Sequence, residues 1–363
     1  MKLKIKRESI WIIFSQIILF LLISEKLYNP TYFSGRYNQQ VTLIICGISL
    51  AFLLLRKVSL KKSDIVSIMA IIYIVLYGFC NESIRYGLVF FSLLIWSKIP
   101  VKNINILQKV LVIEAVILSM IDLSRGYERV SGFSSGSPTL FSCALAINFT
   151  YFIFKKEREK GDYIYALICV ILLIKTESSS TLILFVVLTL YKIGINILKK
   201  FGFKSLYTKM FIAIGTLFVV ALLVVDLDAL LRIFNRSNRD ASTLTRLGLY
   251  QKFWDMFIKT PESVIFGYGG GFTQEYIQAF WGVSSHLPLH QDVLMFACEY
   301  GLFGMFIIIK FLIKRYNFNF IIIAILLLST FHNIILAPTI LLLLVITSNA
   351  LNMQYGDYKT LWS

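Results

Sequence analysis

Residues 290–313 read HQDVLMFACEYGLFGMFIIIKFLI. Past its polar start the run is apolar except for one carboxylate, Glu299, with Gly301 and Gly304 just behind it and Lys310 near its end. The apolar residues are continuous rather than alternating, which is the pattern of a helix and not of a barrel strand. A stretch of roughly 20 such residues crosses a bilayer. Similar runs recur near 10–24, 39–55, 64–80, 84–97, 105–122, 139–154, 163–175, 180–197, 208–226, 318–332 and 337–351. Backbone groups in lipid must bond within their own segment, so these runs form helices. The expected fold is an all-α integral membrane protein. Residues 1–363 form a single polytopic domain of about twelve transmembrane helices, with one large outer loop before the last three spans.

Composition points the same way. The chain is 57% hydrophobic and 15% aromatic, with a mean hydropathy of +0.75. One water-soluble core does not hide that much apolar surface. The formal charge of +16 suits nucleic acid on a soluble protein, but on this one it is the signature of cytoplasmic loops, and no nucleic-acid partner is expected. With the N-terminus inside, the bases around Lys57, Lys102, Lys156, Lys200 and Lys314 all fall on the cytoplasmic side. About two thirds of the 36 Lys and Arg residues then lie inside, and both termini are cytoplasmic. The basic and then apolar N-terminus resembles a signal peptide, but no small-residue cleavage site follows it, so it reads as a retained first span. Cys46, Cys80, Cys143, Cys169 and Cys298 lie in or beside apolar runs without metal-ligand spacing and read as small apolar residues.

The long outer loop spans 227–289. It carries helix grammar: Ser242 or Thr243 as cap, Leu247, Tyr250, Trp254 and Phe257 at helical spacing, and Pro261 as terminator. Arg232, Arg236 and Arg239 share a face if that part is helical, and Arg246 follows. Guanidinium groups clamp phosphates through paired hydrogen bonds, although such a row also serves as a solvated face or a lipid-headgroup contact. Arg129 sits in a Gly- and Ser-rich outer loop, 123–138, either facing a cavity between spans or anchoring the interface.

Two of the three histidines, His286 and His290, flank Pro288 at the outer mouth of the span quoted above, and His332 lies near another outer helix end. Imidazole suits general-base work near neutral pH. A metal is not expected, because Pro288 breaks the helical face and no third ligand is evident. Glu299 and Glu114 are intramembrane carboxylates, a functional position by default and otherwise the partners of structural ion pairs. Gly267-Tyr268-Gly269-Gly270-Gly271 lacks the Lys-Ser/Thr of a phosphate loop and reads as a turn. Asp226-Leu227-Asp228 has the spacing of an acidic pair at a helix end.

In order, several of these pieces resemble the bacterial O-antigen ligase and Wzy-type polysaccharide polymerase superfamily. The matching stretches are Arg129 to Gly132 with Pro138, Thr176-Glu177-Ser178-Ser179, Arg246, Trp254, Pro261 and Phe266-Gly267-Tyr268-Gly269. His290-Gln291 and Glu299-Tyr300-Gly301-Leu302-Phe303-Gly304 complete the set. The family's usual His-Asn is His290-Gln291 here, and Ser178-Ser179-Ser180 stands where an Arg is common.

The resemblance implies a metal-independent glycosyltransferase in the bacterial plasma (inner) membrane, with no cofactor. It would polymerise repeat units of O-antigen, capsule or exopolysaccharide carried on polyprenyl diphosphate. By that resemblance Arg129, Arg246 and Arg239 hold the diphosphate, His290 or His286 is the base, and Glu299 orients a histidine or arginine. Membrane lipids, a flippase and a chain-length regulator are the implied partners. Glycan ligation of the O-antigen ligase type, and transport of lipid-linked sugars, are the alternatives. The topology is open to direct test in a chain whose native cysteines are alanine. Ser237→Cys is expected to react with a membrane-impermeant maleimide in intact cells, and Lys200→Cys only after permeabilisation.

Overall fold

The computed structural model describes residues 7–24, 26, 43–51, 64–78, 80–96, 104–134, 137–178, 181, 185, 241–281, 291–316 and 337–355. Every regular element among them is a helix. These are α1 (Arg7–Ile23), α2 (Ile65–Leu76), α3 (Asn81–Trp96), α4 (Asn105–Ser124), α5 (Pro138–Phe154) and α6 (Lys160–Lys175). They continue with α7 (Ala241–Phe257), α8 (Pro261–Phe266), α9 (Phe272–Trp281), α10 (Asp292–Tyr316) and α11 (Pro338–Tyr355). Residues 43–51 are helical as well. The expected spans 180–197, 208–226 and 318–332 lie wholly or almost wholly outside the described residues.

The breaks between helices carry their own chemistry. Ser137 caps α5 by accepting from the Leu140 amide at 3.3 Å, and Pro138 fills the first helical position. Glu159 and Asp162 form a reciprocal capping box at the start of α6, where Asp162 accepts from the Glu159 amide at 2.6 Å. Asp162 also receives the buried Lys155 at 2.6 Å, tying the end of α5 to the start of α6. Both groups are almost fully enclosed, so removing either one would leave an uncompensated buried charge.

The helices α5 and α11 are buried on every side. A helix that is apolar all round belongs at the centre of a bundle. Around them pack α1, α3, α4 and α6, with α11 touching α1, α3 and α5. Two polar contacts cross the interior: Gln108 donates to Thr347 at 2.9 Å, and Trp96 to Ser49 at 2.8 Å. A second group of helices, α7 to α9, packs on α10, which leans on α2.

The periphery carries exposed apolar stripes at helical spacing. On α4 they are Ile106, Val110, Ile113, Ile117 and Met120, and on α6 Ile164, Leu167, Ile171 and Ile174. α2 adds Ile65, Met69, Ile72 and Leu76. Continuous surfaces of this kind suit hydrocarbon rather than water. Among the described residues one stretch, Asp292–Phe311, is by itself long and apolar enough to cross a bilayer, while Ile65–Leu76, Pro138–Phe154 and Thr339–Leu351 are shorter apolar helices.

That one long helix is broken. Gly301 has φ 62° and ψ −173°, which no helix contains. The break strips the carbonyls just before it of their intrahelical donors. The glycine turn replaces them: the Tyr268 amide donates to the Cys298 carbonyl and the Gly269 amide to the Glu299 carbonyl, both at 2.8 Å. The Gly270 amide donates to the Tyr77 carbonyl at 3.0 Å, which fastens the end of α2 to the same turn. Such close approach requires glycine. A Cβ on Gly267 would stand 2.6 Å from the Glu299 carbonyl, and one on Gly301 2.3 Å from the Ile265 carbonyl oxygen. The stretch is therefore a turn, as its sequence suggests, but one that serves as the cap of a broken membrane helix.

Two local expectations are corrected. Ser242 and Thr243 lie within the first turn of α7, which starts at Ala241, so neither is its cap. Pro261 does not terminate α7, which ends at Phe257. It opens α8 behind a Thr260 cap whose side chain accepts from the Ser263 amide, because proline needs no donor at a helix's first position. The cost of crowding the break is measurable. Gly267→Ala is expected to lower stability by about 1–3 kcal/mol or more, read as a lower melting temperature of the purified protein in detergent. Gly248→Ala, whose added Cβ meets nothing within 4 Å, should leave it unchanged or raised.

Candidate functional site

Two polar centres contain sequence-predicted residues. The first lies at the helix break. Glu299 is fully buried, and its Oε1 accepts from the Thr273 amide at 3.3 Å and from the Thr273 hydroxyl. Thr273 is in the first turn of α9, so Glu299 reaches across to cap that helix, where the exposed amides and the helix dipole favour a carboxylate. Its Oε2 has no hydrogen-bond partner among the described residues. Glu299 thus caps α9, while the histidines and the Arg246 side chain that the sequence suggested as its partners lie outside what the structure describes.

Around it close Tyr300, whose hydroxyl donates to the Ile74 carbonyl at 3.2 Å, and Cys80, whose thiol donates to the Gly270 carbonyl at 2.8 Å. Glu82 and Arg85 pair at 3.2 Å on the first turn of α3. They border the same turn, since a Cβ on Gly271 would lie 3.5 Å from the Glu82 Cβ. Stacked Tyr73 and Tyr77, with Tyr300, pack the inner side.

The helix α7 is fastened to this centre. The Cys298 thiol donates to the Phe253 carbonyl at 3.3 Å, and the Tyr268 hydroxyl to the Met256 carbonyl at 2.8 Å. Phe253 meets Tyr276 of α9 edge-on, with ring centroids 5.5 Å apart. Arg246 belongs to the same helix, about two turns before Phe253. Its backbone is helical, and its side chain lies outside what the structure describes. Arg239, His286 and His290 also lie outside the described residues.

The second centre holds Arg129. Its Nε donates to the Thr176 carbonyl at 3.0 Å, and the next amide, of Val130, donates to the Lys175 carbonyl at 3.4 Å. The guanidinium therefore sits at the C-terminal end of α6, where freed carbonyls and the helix dipole welcome a cation. Thr176 and Arg129 come from two separate stretches of the family resemblance, and the fold joins them. Glu177, just beyond, is the one non-glycine residue among those described with positive φ, at 52°. An L residue in that conformation carries strain of about 1–2 kcal/mol, a feature that gathers at functional sites. Ser178, Thr181 and Ser142 continue inward as a hydroxyl chain, with steps of 3.1 and 2.7 Å.

Beneath Arg129 lies an anchor that sequence reading did not single out. Asp122, at the end of α4 and almost wholly buried, accepts from the Ser131 amide at 2.9 Å, the Ser131 hydroxyl at 3.1 Å and the Gly132 amide at 3.1 Å. Its other oxygen pairs with Lys26, beyond the end of α1. The signal that was available is an aspartate at the end of an apolar run followed by a Ser-Gly pair. Glu114, the other carboxylate noted in the sequence, accepts from Ser24 at 2.6 Å.

Residues 164–309 match a family model described as O-antigen ligase. The match begins within α6 and ends within α10, so it takes in Thr176, Arg246, the glycine turn, His286, His290 and Glu299, while Arg129 and Asp122 precede it. No curated protein matches the chain significantly.

The Glu299–Thr273 contact carries its own test. Thr273→Val removes the hydroxyl donor of a buried carboxylate and is expected to destabilise by about 1–3 kcal/mol. Hydrogen exchange at the start of α9 should then accelerate, while Thr273→Ser retains near wild-type protection.

Proposed function

From a chain whose residues 164–309 form an O-antigen ligase family domain, we propose a polymerase of lipid-linked oligosaccharide repeat units, working at the outer face of a bacterial plasma membrane. The observation that carries this reading is the seating of the glycine turn on Glu299 and Gly301 inside the matched region. It brings together two stretches of the family resemblance that lie about thirty residues apart and holds α7, with Arg246, beside them.

The chemistry needed is modest. The hydroxyl oxygen of an acceptor sugar attacks the anomeric carbon of the donor glycan, and the bond from that carbon to the diphosphate oxygen breaks. The hydroxyl proton passes to a base, for which His290 is the first candidate and His286 the second. The polyprenyl diphosphate leaves as an anion, and fixed guanidinium groups stabilise the charge that develops on it. Arg129 and Arg246 are the candidates, with Arg239 behind them. Arginine suits this task because it stays charged and presents a planar fork of donors. Glu299 contributes by holding α9 against the break in α10. The exposed apolar stripes give a lipid-borne donor a lateral approach from the bilayer.

This reading takes the whole chain as one polytopic domain of about twelve spans with segment 227–289 outside. Polymerase is preferred to ligase because the polymerases of this superfamily are diverse and weak motifs are typical of them, as here, where Gln291 and Ser178-Ser179-Ser180 depart from the family pattern. The family description itself favours the ligase alternative, and the acceptor separates the two. Full-length protein in proteoliposomes, given polyprenyl diphosphate-linked repeat units, is expected to produce a ladder of lengthened glycans. Arg246→Ala and His290→Ala should each slow chain growth by about a hundredfold or more. Transfer only to a lipid A-core acceptor would establish the ligase instead. Normal chain growth by a well-folded Arg246→Ala variant would contradict the proposed clamp.

A further inference from the structure

We propose that Asp122 is a positioning residue for Arg129, and that its ion pair with Lys26 sets the place of the guanidinium at the outer end of α6. The inference rests on the reading of Arg129 as part of the diphosphate clamp. It goes beyond that reading by assigning the support to α1 and α4, which lie outside the matched region.

The geometry is specific. Between α4 and α5 the chain runs from Arg125 to Ser137. A loop of that length has many conformations unless something selects one. Asp122 selects it from both of its ends. Its carbonyl accepts from the Arg125 and Tyr127 amides, each at 3.2 Å, and its Oδ2 gathers three donors from Ser131 and Gly132. Arg129 lies between those two sets of contacts. Gly132 completes the fold-back with φ 49° and with no room for a Cβ, which would meet the Phe141 ring at 2.2 Å.

Lys26 then locks the anchor to α1. Its ammonium pairs with Asp122 Oδ1 and its backbone amide donates to the Phe133 carbonyl at 2.9 Å, so one residue holds both the carboxylate and the far arm of the loop. Asp122 is almost wholly enclosed. Removing any of these donors would leave a buried carboxylate short of partners, so the loop and the ion pair form or fail together. The outcome is a guanidinium whose Nε is turned onto the Thr176 carbonyl. Positioning of this order matters to transfer chemistry, where a displacement of about 1 Å costs as much as a hundredfold in rate.

The test compares Asp122→Asn, Arg129→Ala and the double variant, as full-length protein in proteoliposomes with the lipid-linked donor. Asp122→Asn is expected to raise the donor KM by about tenfold and to speed trypsin cleavage after Arg129. In the Arg129→Ala background it should add nothing further to KM. Arg125→Ala, on the same loop with an exposed side chain, should leave KM at the wild-type value. If Asp122→Asn does not yield folded protein, Lys26→Met, which removes one donor of the set, takes its place with the same expectation. An effect of Asp122→Asn that persists in full on top of Arg129→Ala would reduce it to general stability and overturn the proposal. So would wild-type KM and cleavage in Asp122→Asn beside an impaired Arg129→Ala. A wild-type KM in Arg129→Ala would instead overturn the reading of the clamp on which the proposal stands.

Discussion

The carbonyls that Gly301 uncovers at Cys298 and Glu299 must be satisfied inside a span that offers no water. Two amides of the glycine turn meet that need, and the helices around the turn are arranged by the requirement. Because Tyr268 and Gly269 must reach α10, the chain around them is drawn against it. α8 then packs on the break, α9 starts beside the Glu299 carboxylate, and α7 is fastened through Phe253 and Met256. Tyr77, at the end of α2, takes the third amide, so the turn also joins the two groups of helices. A regular helix at 292–316 would have no use for any of this.

The same physics recurs at the second centre, with the roles exchanged. There the end of α6 presents carbonyls, and a side chain rather than a turn covers one of them: Arg129 on Thr176. Asp122 and Lys26 stand behind it as Glu299 and Thr273 stand behind the break. In both centres a buried carboxylate accepts from backbone amides and so fixes a segment, the Arg129 loop in one and the start of α9 in the other. Buried carboxylates in membrane helices are functional by default. Among the described residues, Asp122 and Glu299 both act on the backbone, Asp122 on the loop that carries Arg129 and Glu299 on the start of α9.

Much of the bundle was legible in the sequence. The runs at 105–122 and 139–154 are met by Asn105–Ser124 and Pro138–Phe154, because long apolar stretches bounded by polar residues leave little freedom in register. The break in α10 was not legible. Gly301 leaves the apolar pattern unchanged, and its partner turn lies about thirty residues earlier, beyond the reach of any periodicity. Pro261 was read as a stop when it is a start, since the same residue serves both purposes and only the chain direction decides. Asp122 was missed because its acceptors are satisfied by the amides of Ser131 and Gly132, and amides leave no trace in a sequence. Arg129 and Glu299 were found from the family resemblance and from intramembrane charge, but what they touch came only from the fold.

The central claim is that a lipid-borne diphosphate donor binds at the outer face, between the Arg129 loop and α7. A photoreactive polyprenyl diphosphate sugar, crosslinked to the protein in proteoliposomes and mapped by peptide mass spectrometry, tests that placement directly. The account predicts labelling on the 125–134 loop and on 241–257, competed away by unlabelled donor. Labelling confined to the opposite end of the bundle, around Lys155 and Asp162, would contradict it.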